Sequence, residues 1–378
     1  MATQALVNPE ILSWARIRAG LSEVMLAKKL KVQSDKILNW EAGTLKPTFK
    51  QAQNIAKVTH IPFGYLYLPK PPVEKLPIPD LRTLDSAELD APSPALRETL
   101  QLTMKKQDWF KEYLKDRNEE PLKFVGSLSI KSDVKEAVKL IRETLGAAQP
   151  QTGDWEEYQR TLIDKIESIG VIVLRSGIVG NNTHRKLSVN EFRGFAICDE
   201  YAPVIFINSA DAPTARLFTL IHELAHLWIG QSGVSNTITA TSHRHEEMFC
   251  NAVAGEFLVP EELLKSSWNA EFKLEDNIRK IATATHVSKF VVIRRALDCH
   301  LVDRETYNRF YLNELKEFRK KSTSGSGDYY QNTKAKNSKM LSRAVIGEAL
   351  SGRMLLRDAG SILGVSPSNL KTYARKIN

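Results

Sequence analysis

The chain has 378 residues, of which 42% are hydrophobic and 26% charged, with a formal net charge of +9. This composition excludes a disordered chain and allows two or three domains. No run of eighteen apolar residues and no secretion signal is present, so we expect a cytoplasmic protein that makes no contact with a membrane. The three cysteines lack metal-binding or paired spacing and are expected to be reduced thiols.

The positive charge is concentrated at the two ends of the chain. Residues 1–70 contain ten basic and four acidic residues, and residues 316–378 contain thirteen and four. Between them, 36 acidic residues outnumber 30 basic ones. This distribution favours terminal modules that bind nucleic acid or an acidic partner, although two solvated helical modules would look the same.

The first 68 residues show a series of short helical patterns. Apolar residues at 26, 27 and 30, then Ile37 and Trp40, precede Gly43 and Pro47. This order resembles the helix-turn-helix domain of the phage-repressor-like XRE type. The resemblance implies a five-helix domain over residues 1–68, whose helix from about 34 to 41 enters the DNA major groove while Ile37 and Trp40 pack inward.

Within that resemblance, Ser34, Lys36 and Asn39 are the candidate DNA contacts, beside Asp35. Two positions depart from the family. Glu23 replaces a glutamine that usually touches phosphate, and a carboxylate there would repel DNA. Lys31 replaces the turn glycine, so a non-glycine residue must adopt a position that commonly has positive φ. DNA binding is therefore one of two open interpretations of this domain.

A proline-rich stretch at 69–79 opens a connector that we place at residues 69–93. A mainly helical α+β domain is expected over 94–321. It combines helices with a small antiparallel sheet that leads toward the metal-binding motif described next. The helices are predicted at 94–115, 133–145, 155–169, 275–285, 287–297 and 305–320, and the strands at 170–174, 192–198 and 203–207.

Residues 222–226 read His-Glu-Leu-Ala-His inside an apolar stretch that predicts a helix over 217–229. Asp211 or Thr214 could cap this helix, and Gly230 could end it. Because His222 and His226 are four residues apart, both imidazoles can reach one ion, and Glu223 lies close enough to accept a proton from water. This arrangement is typical of zinc hydrolases, although Mn²⁺ or Fe²⁺ could occupy the same ligands.

A third ligand is expected from the next predicted helix, in the stretch 246–264, which should stop near Pro260. Glu247 could complete the ligand set, and Asn251, four residues later, could accept the free N–H of a ligating histidine. Spacing alone leaves Glu246, His245 and His243 as rival ligands. His243 or His245 could also donate a hydrogen bond to the oxyanion that forms during hydrolysis.

The segment 217–260 resembles the ImmA/IrrE group of bacterial metallopeptidases. The match includes the His-Glu-x-x-His helix and, in the later helix, Glu247, Asn251, Ala254, Leu258 and Pro260. The resemblance implies that His222, His226 and Glu247 bind the metal and that Glu223 is the general base. It extends to the stretch 191–195. No catalytic role is assigned to Arg193, which we expect to be solvated.

A Ser/Gly-rich break at 322–327 separates a basic C-terminal module, residues 328–378. Residues 356–374 predict a second helix-turn-helix with its turn at Gly364. Docking to a protein partner or packing onto the peptidase is an equal alternative for this tail. The residues that could face a DNA groove are Ser366, Ser368, Asn369, Lys371 and Tyr373, with Arg375 and Lys376 on phosphates.

The preferred functional interpretation is a zinc endopeptidase coupled to a DNA-binding regulator. The family resemblance implies that its substrate is a transcriptional repressor or an antitoxin. The alternative is a DNA-binding antitoxin or regulator that holds a toxin encoded nearby, with a vestigial or structural metal site. Replacement of Glu223 discriminates between the two, because binding needs no general base.

Overall fold

The computed structural model describes residues 3–74, 76–79, 92–146, 155–235, 245–320 and 336–377. The chain divides into two compact units. The N-terminal unit comprises Met1–Pro77 and Glu88–Leu100, and the main unit comprises Ile78–Ala87 and Gln101–Asn378. The predicted Ser/Gly-rich break lies outside the described residues.

The N-terminal unit is a small helical domain. Its elements are α1 (Pro9–Arg18), α2 (Glu23–Leu30), α3 (Ser34–Glu41), α4 (Phe49–Thr59) and a 3₁₀ turn at Phe63–Tyr67. The turn between α2 and α3 follows from local chemistry. Ser22 caps α2, and Lys31 ends it with φ 56°, as the sequence predicted. Ile37 and Trp40 are buried, which confirms their inward packing.

Acidic residues of this unit are paired within it. Arg16 contacts Glu23 at 2.8 Å and Glu41 at 2.7 Å. In the connector, Glu74 accepts hydrogen bonds from Arg18 and Arg97, each at 2.6 Å. The carboxylate of Glu23, expected to repel phosphate, is therefore held against a guanidinium of the same unit.

The helices of the main unit begin with α5, which starts in the N-terminal unit and continues into the main one. The helix bounds agree with the predicted ones to within two residues for most of the chain. They are α5 (Pro94–Lys115), α6 (Val134–Leu145), α7 (Trp155–Ser168), α8 (Pro213–Trp228), α9 (His245–Leu258), α10 (Glu261–Ser267), α11 (Leu274–Thr285), α12 (Lys289–Asp298), α13 (Arg304–Lys320), α14 (Lys339–Leu350), α15 (Leu356–Leu363) and α16 (Leu370–Ile377).

The sheet contains four described strands, one more than predicted. They are β1 (Ile172–Ser176), β2 (Gly194–Ile197), β3 (Val204–Asn208) and β4 (Gly233–Ser235), in the order β1-β3-β2-β4. β1 and β3 are parallel, while β2 is antiparallel to both β3 and β4. The expectation of a purely antiparallel sheet was therefore wrong, since the long β1–β2 connection and β2 itself lie between β1 and β3 and allow these two strands to run parallel.

The helix α8 lies against this sheet and is buried along nearly its whole length. Twelve of its residues from Leu217 to Trp228 are buried, so it is a core helix with apolar residues on every side. Pro213 occupies its first turn, and Gly230, with φ +69°, follows its last residues as predicted. The cap differs from the prediction. Ala212 is the N-cap and supplies no side-chain hydrogen bond.

The helix that was expected to stop near Pro260 does so, and the residues beyond it form a separate helix. α9 ends at Leu258, and α10 starts at Glu261 after Pro260. Proline cannot donate a backbone hydrogen bond and restricts the residue before it, so the helix breaks at this point. The buried residues of α9, which include Cys250, Ala254 and Phe257, face α8 and the main core.

The C-terminal helices α14, α15 and α16 have their own buried residues, and Gly364 makes the predicted left-handed turn. One candidate DNA contact of this tail is excluded by its position. Tyr373 is 1% exposed, and its hydroxyl lies 3.1 Å from Ser342 Oγ. Its ring packs into the protein and cannot face a groove.

All three cysteines are unbridged, as the sequence predicted. Burial raises the pKa of Cys198 to about 12 and raises that of Cys250 well above its usual value. Both thiols are therefore protonated and poorly reactive at neutral pH. Among the described residues, every helix is too short or too polar to cross a membrane.

Candidate metal centre

The two histidines of α8 point their distal ring nitrogens at one position. His222 and His226 are at most 1% exposed, and their Nε2 atoms lie 3.1 Å apart. One neutral imidazole could donate to the other at this distance. The separation also matches the one expected for two donors on a single ion.

Glu247 of α9 completes the group. Its Oε2 lies 3.3 Å from Nε2 of His222, and its Oε1 lies 3.2 Å from Nε2 of His226. Donor atoms about 2.0–2.1 Å from a tetrahedral zinc ion are roughly 3.3 Å apart. The three side chains therefore fit a tetrahedral divalent ion, and they are the only such group among the described residues.

The rival ligands for the third position lie elsewhere. Glu246 is partly exposed and His245 is exposed, whereas Glu247 is 3% exposed. His243 lies outside the described residues. The buried side of α9 thus brings the second of its two adjacent glutamates to the histidines and turns the first away.

Charge within the group stabilises the carboxylate form of Glu247. Burial raises its pKa, but His222 and His226 oppose this more strongly, and the net effect is a pKa below the ordinary value. Burial also lowers the pKa of His226, which favours the neutral imidazole. Both directions give the protonation states that metal ligands need.

Glu223 lies between the two histidines in sequence and is completely buried. Neither carboxylate oxygen has a hydrogen-bond partner among the described residues. Burial, followed by the nearby charge of Glu247, raises its pKa well above the usual value. A divalent cation held by the three ligands would act in the opposite direction and favour the carboxylate.

Gly194, the first residue of β2, leaves the space that Glu223 occupies. A Cβ atom at residue 194 would lie 2.8 Å from Oε1 of Glu223, 2.6 Å from Thr219 and 2.9 Å from the carbonyl oxygen of Phe206. Two of these neighbours are on α8, so the glycine allows the helix to approach the sheet closely. Gly194 belongs to the stretch 191–195, which was noted for its resemblance to the family, but the sequence did not indicate why a glycine is needed there.

We expect Gly194→Ala to destabilise the protein by about 1–3 kcal/mol, the usual cost of overpacking a core, and to displace Glu223. Gly347→Ala is the matched control, because a Cβ there meets nothing within 4 Å and lies in helix α14. The control should be neutral or slightly stabilising. Thermal unfolding of both variants measures the difference. Equal melting temperatures would show that α8 can move away from β2 at no cost.

Asn251 does not form the predicted hydrogen bond to a ligating histidine. Its Oδ1 is buried without a partner, and Nδ1 of both His222 and His226 also has none among the described residues. Asn251 is one turn beyond Glu247 on α9, as expected, but helical spacing fixes only the face of a residue and not the reach of its side chain.

Arg193 and Asp211 form an ion pair that the sequence analysis missed. Arg193 Nη1 lies 2.6 Å from Asp211 Oδ2, and the side chains are 16% and 4% exposed. Asp211 also accepts a hydrogen bond from the N–H of Ala212. The expectation of a solvated Arg193 was therefore wrong. The pair links the residue before β2 to the start of α8.

A loop covers the other end of α8. The N–H groups of Gly126 and Leu128 donate to the carbonyls of Leu227 and Trp228, at 3.0 and 2.9 Å. The ring of Phe124 stacks on Trp228 with 4.4 Å between centroids. These contacts satisfy carbonyl groups that a helix end leaves without partners.

β4 forms an edge of the sheet and lies next to β2. Gly194 of β2 pairs with Ser235 of β4. On its outer side, the N–H of Val234 donates to the carbonyl of Pro79 at 3.1 Å, and Ile78 is 7% exposed. A connector residue therefore already adds a backbone hydrogen bond to this edge.

The candidate DNA contacts lie on α3. Lys36 and Asp35 are exposed, while Ser34 and Asn39 are partly exposed. Oδ1 of Asn39 accepts a hydrogen bond from Thr44 at 3.1 Å, which reduces its freedom to contact a base. DNA binding by this helix stays a prediction.

Comparison with known families gives two matches. A model of the IrrE N-terminal-like domain, a peptidase family, matches residues 167–297. This segment includes strands β1 to β4 and all three candidate ligands. A domain of unknown function matches residues 337–376, the C-terminal helices. No curated protein matches the chain. The similarity to a peptidase family thus covers the metal centre and does not extend to the N-terminal unit.

Proposed function

We propose that this protein is a zinc-dependent endopeptidase, with His222, His226 and Glu247 as the metal ligands and Glu223 as the general base. The observation that carries the proposal is the convergence of three buried donor atoms at tetrahedral separations beside an unpartnered buried carboxylate. A purely structural zinc site uses a fourth protein ligand and needs no base. The match to a peptidase family supports the same function.

The chemistry divides between the metal and the chain. When bound, zinc would act as a Lewis acid that polarises the peptide carbonyl and makes water acidic near neutral pH. Glu223 would accept the proton of the attacking water through its carboxylate and pass it to the leaving amine. Gly194 keeps that carboxylate close to β2, and the Arg193–Asp211 pair fixes the start of the helix that carries it.

An extended substrate backbone would add to the sheet at the edge formed by β4. This strand is adjacent to β2, and β2 touches Glu223 through Gly194. Strand addition supplies affinity through main-chain hydrogen bonds, independent of the side chains of the substrate. Pro79 occupies one of these hydrogen bonds, so a substrate strand would have to replace it.

The substrate class rests on the family resemblance. We propose a transcriptional repressor or antitoxin as the protein that is cut. The test incubates the protein encoded by the adjacent gene with zinc-loaded enzyme and with enzyme stripped of metal, and reads intact mass over time. A discrete cut that requires zinc is the expected result.

The alternative function predicts a different outcome in the same experiment. If the protein is an antitoxin that holds a toxin partner, the neighbouring protein should stay whole and co-purify with both the loaded and the stripped forms. Failure to cut either that protein or a diverse peptide library, in the presence of zinc, would contradict the endopeptidase proposal.

A further inference from the structure

A second cavity, of about 630 Å³, lies in the main unit apart from the metal ligands. One face of α7 forms its first wall, β1 and the start of α8 its second, and the C-terminal helices α14 and α16 its third. The volume is within the range of about 300–1,000 Å³ that small-molecule sites occupy. The helices that close it belong to the segment matched by the domain of unknown function.

Two arginines face this cavity from the sheet and from the metal-binding helix. Arg175 is on β1, and Arg216 is in the first turn of α8, six residues before His222. Both arginines line the cavity. Burial lowers the pKa of Arg175, and the charge of Arg216 lowers it further.

Unsatisfied polar atoms mark the same cavity. Gln159 is 5% exposed, and its Nε2 donor has no hydrogen-bond partner among the described residues. Nε of Arg216 is also buried without a partner. Buried donors normally have acceptors, so these N–H groups leave hydrogen-bonding capacity that an acceptor-rich ligand would satisfy.

The acidic groups near the two arginines offset only part of the positive charge, because the lining has four basic residues, Arg160, Arg175, Arg216 and Lys339, and three acidic ones, Glu156, Asp164 and Glu167. Glu156 and Asp211 act on Arg216, and Asp211 is already paired with Arg193. Asp164 pairs with Lys339 at 2.6 Å. Burial raises the pKa of Glu167 to about 7, although hydrogen bonds from Ser338 and from the backbone of residues 339 and 340 lower it, so this carboxyl is substantially protonated at neutral pH. Positive charge is therefore left over on the side of β1 and α8.

We propose that this cavity binds an organic phosphate of mononucleotide size, with its phosphate group on Arg175 and Arg216. Adjacent guanidinium groups form bidentate hydrogen bonds with phosphate, and a dianion offsets two cations. The cavity is much larger than a phosphate ion, and Trp155 and Ile377, both partly exposed, provide apolar surface for the organic part. Gln159 offers its free amide donor to the same ligand.

The test uses adenosine 5′-monophosphate, inorganic phosphate and adenosine as probes on the full-length protein, by calorimetry and thermal shift. The monophosphate should bind and raise the melting temperature, and adenosine should bind more weakly. Arg216→Gln and Arg175→Gln should each reduce the affinity for the monophosphate by roughly tenfold or more. Arg279→Gln is the control, because that side chain is 72% exposed on α11.

Several results would overturn the proposal. One is the absence of binding by both the monophosphate and inorganic phosphate at millimolar concentration. Another is equal affinity for adenosine and its monophosphate, which would mean that the arginines take no part. A third is unchanged affinity for the monophosphate in Arg216→Gln. This variant retains Arg175, so it should fold even if Arg175 is needed for the stability of β1.

Discussion

Glu223→Gln should reduce peptide hydrolysis by about 10²–10⁴-fold while leaving zinc bound. The amide has nearly the same shape as the carboxylate, so it fits the space beside Gly194. It cannot accept a proton from water, and that is the role proposed for this residue. Because Glu223 is not among the three converging donors, the metal content should stay at that of the wild type.

The measurement follows initial rates of substrate cleavage together with zinc content by elemental analysis. Both quantities are needed, since loss of metal would also abolish cleavage. An unchanged rate in Glu223→Gln with zinc retained would remove the residue from the reaction. Glu223 would then be a structural residue, and the alternative function, an antitoxin that holds a toxin partner, would be favoured.

Glu247→Ala should weaken zinc binding by more than the roughly 10–100-fold that is lost when a residue behind the ligands is removed. The variant deletes one of three protein donors and leaves His222 and His226 facing each other. Activity should fall with zinc occupancy. Competition with a chromogenic chelator gives the affinity, and the rate at saturating zinc separates binding from chemistry.

Glu246→Ala is the matched control for that experiment. Glu246 precedes Glu247 on α9, has the same charge and is partly exposed, so its loss should alter zinc affinity little. If Glu246→Ala lowers the zinc affinity as much as Glu247→Ala does, long-range charge would explain both effects, and direct ligation by Glu247 would be refuted.

The sequence predicted the elements that local patterns encode. A helix with histidines four residues apart places both on one side, so α8 and the approach of its imidazoles followed from spacing. The positive φ of Lys31 and the burial of Ile37 and Trp40 were expected from the family resemblance, and both are observed.

Features that depend on distant parts of the chain were not predicted. β4 has three residues, Gly233–Ser235, too few for any alternating pattern, and its pairing with β2 defines it. The parallel pairing of β1 with β3 depends on the path of the chain between them. The Arg193–Asp211 pair and the unpartnered Asn251 depend on side-chain reach, which sequence spacing does not specify.

The loop that covers the end of α8 affects where a working fragment can begin. The segment matched by the peptidase family model starts at residue 167, yet Phe124, Gly126 and Leu128 stabilise the end of α8. A fragment cut at residue 167 would expose Trp228, a side chain whose truncation in a core costs about 3–5 kcal/mol, and would leave two helix carbonyls unbonded. A fragment with a stable α8 therefore has to include residues 124–128, which lie upstream of the segment that family similarity marks.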